Sequence, residues 1–102
     1  MRFALSLLLA LAACGPGQEP AAARGERLAR EHCAACHAIG PRGTSPRAGA
    51  PAFRDLRHRY PVEQLAEALA EGILTGHPDM PEMSFSAAEV DALIAHLRSL
   101  ER

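Results

Sequence analysis

The chain has no tryptophan and no lysine, and only one tyrosine and three phenylalanines among its 102 residues. Aromatics therefore make up 4% of a chain that is 48% apolar, and much of the apolar count is alanine, which buries little area. So short a chain with such small side chains lacks the means to build a sufficient core unaided. A metal, disulfides or a cofactor must fill part of the middle. Three cysteines exclude a multi-disulfide framework. There is no excess of positive charge either: eleven arginines face twelve acids, for a formal charge of −1. That balance argues against a nucleic-acid partner. The use of arginine alone as the basic residue carries no chemical message. No apolar run is long enough for a membrane span, and no segment alternates as a strand does. Length and pattern exclude a large enzyme, a multi-pass membrane protein and a coiled coil.

What is present begins with an export signal. Arg2 precedes an apolar run from Ala4 to Ala13 broken only by Ser6. Ten residues cross about 15 Å as a helix, against a hydrocarbon core of roughly 30 Å. The run reads as the h-region of a signal peptide. It ends in Leu11-Ala12-Ala13-Cys14, which resembles a bacterial lipobox, so residues 1–13 are read as a lipoprotein-type leader and Cys14 as the lipidated first residue. An ordinary signal peptide, cleaved near Ala12 or after Ala23, is the alternative. Removal of residues 1–13 leaves ten arginines against twelve acids. Residues 14–22 then form the lipidated end and its tether, and residues 23–102 the folded domain. Several acyl chains on one cysteine anchor stably where a single chain does not.

The central motif is Cys33-Ala34-Ala35-Cys36-His37. Cys-x-x-Cys-His is the attachment signature of a c-type haem. Two thiols three positions apart on one turn each add to one haem vinyl group, and the adjacent imidazole projects over the ring face to the iron. Three other readings compete. A thioredoxin-like thiol pair would follow a strand. A structural zinc site would need further ligands, with only His58, His77 and His96 to supply them. A Cys33–Cys36 disulfide would leave His37 without a role.

Periodicity predicts three helices. The first runs from about Ala22 to His37, with Gly25, Leu28, Ala35 and Ile39 on one stripe, and Gly40-Pro41 ends it. The second runs from about Pro61 to Gly72, with Val62, Leu65, Ala66, Leu69 and Ile73 on its apolar face. The third runs from about Ser86 to Leu100 behind the capping box Ser86-Ala87-Ala88-Glu89. Residues 51–56 allow a short helical turn within an otherwise loop-like stretch. Between the second and third helices lies an apolar, proline-broken loop carrying Met80, Met83 and Phe85, which needs an apolar partner.

These features together resemble the small monohaem class I c-type cytochromes of the bacterial periplasm, over about residues 24–102. The order matches: a helix ending in Cys-x-x-Cys-His, a Gly-Pro turn, a Met-Pro loop and an amphipathic last helix. The resemblance implies an all-α cytochrome c fold, three main helices and loops wrapped around one covalently attached haem c. It implies Cys33 and Cys36 as attachment points and His37 and Met80 as axial iron ligands. Met83 and His77 are lesser candidates for the sixth position. The family's proximal imidazole donates its second N–H to a carbonyl in the Gly-Pro turn, and Pro41 matches that place. Gly25 matches the small residue where the terminal helices cross, and His96 stands about where a tyrosine is usual.

Charge is polarised along the chain. Residues 42–59 hold five arginines and one acid, while residues 61–91 hold seven acids and no arginine. Some of Arg47, Arg54, Arg57 and Arg59, with Tyr60, are candidates to meet haem propionates or to steer docking. His32, His58 and His96 are expected to be surface or helix-flank residues. The expected function is that of a monomeric one-electron carrier, not an enzyme, exchanging electrons with protein donors and acceptors on the periplasmic side of a membrane. A haem-based sensor or small peroxidase with a labile sixth ligand is the alternative. A subunit or assembly factor whose haem is secondary ranks third.

Overall fold

The computed structural model describes residues 19–72 and 79–101. The proposed leader, Cys14 and most of the tether, together with Ile73 and His77, lie outside the described residues. Three α-helices are present in this part of the chain: α1 (Ala21–His32), α2 (Val62–Glu71) and α3 (Ala87–Ser99), with a 3-10 helix over Phe53–His58. No strand occurs among the described residues. The fold is all-α, as the sequence predicts.

α3 has the most determinate beginning. The Ser86 hydroxyl accepts from the Glu89 backbone N–H at 3.2 Å, and the Glu89 carboxylate accepts from the Ser86 N–H at 3.0 Å. Two end donors are thus satisfied reciprocally, which is the predicted capping box. α2 stops at Gly72, whose φ of 90° is open to glycine at little cost. Pro61 stands just before the first helical residue of α2.

The first helix is shorter than its sequence predicts. It ends at His32, so the Cys-x-x-Cys-His segment is not helical. The Ala34 N–H reaches back five residues to the Ala29 carbonyl at 3.0 Å, which widens the last turn and ends the α ladder. The Cys36 and His37 N–H groups then both donate to the Cys33 carbonyl, at 3.1 and 2.9 Å. The motif is a separate turn closed on its own first residue. Ala35, predicted on the apolar stripe, is exposed in this turn, and Ala29 is buried instead.

α3 is the central element. One side packs Ala92 and Leu93 against Leu28 and Ala29 of α1. The other sets Val90, Ile94 and Leu97 against Val62 of α2. Phe53, Leu69 and Phe85 bridge the two groups from their rims. The α1–α3 crossing is close. A Cβ built on Gly25 would fall inside contact distance of the Ala92 carbonyl and 2.9 Å from the His96 Cβ. Only glycine lets the two backbones approach so nearly, as the sequence position of Gly25 predicts.

His96 corrects an expectation. It is not a flank residue but is buried, at 4% exposure, on the α1-facing side of α3. Its Nε2 lies 2.7 Å from the Ile39 carbonyl oxygen. A polar ring tolerates such burial only when its N–H finds an acceptor, and this one does.

Candidate functional site

The candidate site gathers on the turn that follows α1. Cys33 and Cys36 are both half-buried free thiols. No disulfide joins them, so that reading of the motif falls. Burial pushes the Cys33 thiol up to about 11. A redox-active Cys-x-x-Cys pair needs the opposite, a thiol pKa lowered to expose a thiolate nucleophile. Among the described residues no strand precedes the motif, and no group of three or more His, Cys, Asp or Glu side chains is close enough to hold a metal ion. The thioredoxin-like and zinc readings thus lack their structural context here.

The His37 ring is oriented by its Nδ1, which sits 2.7 Å from the carbonyl oxygen of Pro51. A carbonyl can only accept, so the proton is on Nδ1, and Nε2 keeps its lone pair for a metal. This is the imidazole-to-carbonyl contact that the resemblance implies, with a different acceptor. Pro41, to which that contact was assigned, is exposed and lines a cavity of about 510 Å³ beside α1 and the end of α3. The reason lies in the path of the chain. Residues 40–50 make an excursion away from His37 and return, and the return is pinned twice. Ser45 Oγ accepts from the Ala38 N–H at 3.1 Å, and the Phe53 N–H donates to the Ala38 carbonyl at 2.9 Å. Those bonds bring Pro51 alongside the imidazole. Phe53 follows it, with its ring centroid 5.3 Å from that of His37. Sequence reasoning missed both residues, although Ala50-Pro51 directly before a helical turn is a second chain-reversal signal.

Met80 and Met83 are both half-buried. The segment that holds them is tied at both ends. Asp79 pairs with Arg47 at 2.7 Å, and the Phe85 N–H donates to the Leu69 carbonyl at 2.9 Å. The Phe85 ring stands edge-on to His32, with centroids 5.5 Å apart. His32 is exposed, as is His58, in line with their expected placement.

The arginines divide. Arg47 is taken by Asp79, and Arg57 and Arg59 are exposed, as is Tyr60 at 48%. Arg54 differs from them: its Nη1 is buried and has no hydrogen-bond partner among the described residues. A buried guanidinium nitrogen calls for an anion. The set therefore fits a haem c by its chemistry. It offers two free thiols and an adjacent imidazole with Nε2 open on one turn, and a buried cation suited to a propionate.

Comparison with known proteins adds to this geometry. Residues 20–97 match the model of the family described as "Cytochrome C oxidase, cbb3-type, subunit III". The chain is also similar to a protein named cytochrome c-552 from Bradyrhizobium diazoefficiens. The two are 31% identical over 97 residues, covering 94% of this chain and 91% of the relative. No solved structure matches.

Proposed function

The chain belongs to the c-type cytochromes, an electron-transfer family with covalently attached haem c, and from that premise we propose that it is a one-electron carrier ligated by His37 and Met80 and held at the periplasmic face of a membrane through Cys14. The observation that carries the ligation is the His37 ring itself. Its Nδ1 proton is committed to the Pro51 carbonyl, which leaves Nε2 as the donor atom beside the two thiols.

When bound, haem supplies an iron that takes up and releases one electron. The protein does the rest. Cys33 and Cys36 fix the group covalently at the end of α1. The Pro51 carbonyl sets the plane of the His37 ring and raises its basicity. Met80 offers a neutral thioether, which with apolar surroundings disfavours the extra positive charge of the oxidised state and raises the potential. Arg54 compensates a propionate. The likeness to an oxidase subunit's family model names a lineage, and this chain's own donor and acceptor are redox proteins of unspecified identity.

Anchoring is supported by the position of Cys14 at the end of the apolar run. From Cys14 to Glu19, where the described domain begins, the chain spans at most about 18 Å. A lipid there holds the domain close to the bilayer and confines exchange to membrane-bound or nearby partners, raising their effective concentration. Replacement by Cys14→Ser is expected to move the holoprotein from the membrane fraction to the soluble periplasm. Unchanged fractionation would remove the anchor from the proposal.

The ligation is tested by spectra of the oxidised and reduced holoprotein, with Met80→Ala and Met83→Ala alongside and CO added to each reduced sample. The expected result is a far-red sulfur-to-iron band that Met80→Ala abolishes and Met83→Ala keeps, with no CO binding by the unaltered protein. CO binding by that protein would sink the His37/Met80 pair and favour a sensor or peroxidase.

A further inference from the structure

We propose that His96 is a positioning residue for the His37 imidazole. By donating its Nε2 proton to the Ile39 carbonyl, it ties the backbone that carries the axial ligand to the rigid frame of α3. The proposal rests on His37 being an iron ligand, as argued above, and goes beyond it.

The hydrogen bonds of residues 37–39 show why His96 matters. The His37 Nδ1 donates to Pro51, the Ala38 N–H to Ser45, and the Ala38 carbonyl accepts from Phe53. Ser45 and Pro51 belong to the loop that directly follows, and Phe53 opens the short helix behind it, so all three bonds tie the segment to nearby chain. The bond to His96 is different. It spans 57 positions of sequence and comes from a helix. Among these hydrogen bonds it alone comes from α3, and it adds to the packing of Ile39 and Phe53 against the core.

The anchor itself cannot drift. The His96 Cβ lies at the α1–α3 crossing, so close to Gly25 that a Cβ there would stand 2.9 Å away. Its own carbonyl accepts from the Ser99 hydroxyl. The Phe53 ring neighbours both histidines, 5.3 Å from His37 and 6.5 Å from His96. A displacement of α3 would thus reach the His37 ring by two routes, through the Ile39 carbonyl and through Phe53. An apolar ring at position 96 would serve packing alone. Histidine adds the single donor that the half-buried Ile39 carbonyl requires, which a packing role does not explain.

The test uses the holoprotein and begins with its natural sequence. Long-range nitrogen–proton NMR of the ¹⁵N-labelled protein is expected to show His96 with its proton on Nε2. A proton on Nδ1 alone would overturn the proposal, whatever any variant does. Two substitutions follow. His96→Phe keeps a ring and removes the donor, while His96→Gln returns an N–H near the place of Nε2. In the oxidised state, the order and spread of the haem-methyl resonances follow the orientation of the axial imidazole plane. His96→Phe is expected to change that pattern and shift the midpoint potential, and His96→Gln to bring both back toward the original. If His96→Phe lowers only the melting temperature and leaves methyl pattern and potential unchanged, the residue is packing and the inference fails. If His96→Phe does not accumulate with haem, the tautomer decides. Failure of the underlying ligation looks different: hyperfine-shifted His37 ring protons would be missing from the unaltered protein.

Discussion

Arg54 holds a buried Nη1 with no partner among the described residues, in a stretch where its fellow arginines are exposed or paired. A cation near a propionate disfavours the oxidised iron. Arg54→Leu is therefore expected to lower the midpoint potential. A contribution of about 1 kcal/mol corresponds to about 40 mV for one electron, and a redox titration of the two proteins reads it directly. Residue identity was legible in the sequence wherever chemistry demands a fixed spacing. Cys33, Cys36 and His37 are set by one turn, and no other part of the chain is needed to see them. Pro51 was not legible for the opposite reason. Pro41 and Pro51 both follow a small residue and both reverse the chain, and the choice between them depends on where Ser45 and Phe53 fasten the loop. His96 was misjudged because burial is decided by the other helix: its acceptor, the Ile39 carbonyl, is a backbone atom that no sequence pattern marks.

At the scale of elements, α3 was predicted almost to the residue because its start is written in side chains. Ser86→Ala is expected to cost about 1 kcal/mol of stability, measured by denaturant unfolding of the holoprotein. Hydrogen bonding to Ser86 holds the Glu89 carboxyl below its usual range, through the Ser86 backbone N–H first and the Ser86 side chain second. A carboxyl with a lowered folded pKa lends stability that is fully present above its unfolded value and is lost as pH falls through the folded one. Acidification below the ordinary glutamate range is therefore expected to fray the first turn of α3, seen as faster amide exchange at Glu89 and Val90. In Ser86→Ala that fraying should begin at higher pH. The α1–α3 crossing carries a separate expectation. Gly25→Ala forces the helices apart and should destabilise by about 1–3 kcal/mol, with a matching fall in the denaturant midpoint. The end of α1 shows the limit of periodicity. Helical spacing continues through Ala35 and Ile39, yet the ladder stops at His32, because the Ala34 N–H takes an acceptor five residues back.

For the molecule as a whole, the poverty in aromatics shows up as packing. No large side chain among the described residues is completely buried, and the two buried clusters consist of alanine, valine, leucine and isoleucine. Such a core leaves much of the driving force for folding to the attached haem. A Cys33→Ala/Cys36→Ala double variant is expected to lose helical circular dichroism and cooperative melting, where the holoprotein keeps both. The fold class was readable from composition and periodicity, but the chain's route back to His37 was not, since loops carry no period. The pairing of α1 with α3 has one more consequence, and it concerns time. The two helices occupy opposite ends of the chain, with Gly25 meeting Ala92 and His96. Contacts between residues so far apart close the longest loop the domain contains, and such loops form slowly. During synthesis α1 has no partner until the final helix is made. The domain therefore cannot close before its last helix exists, and until that helix arrives the Cys-x-x-Cys-His turn stays open to covalent attachment.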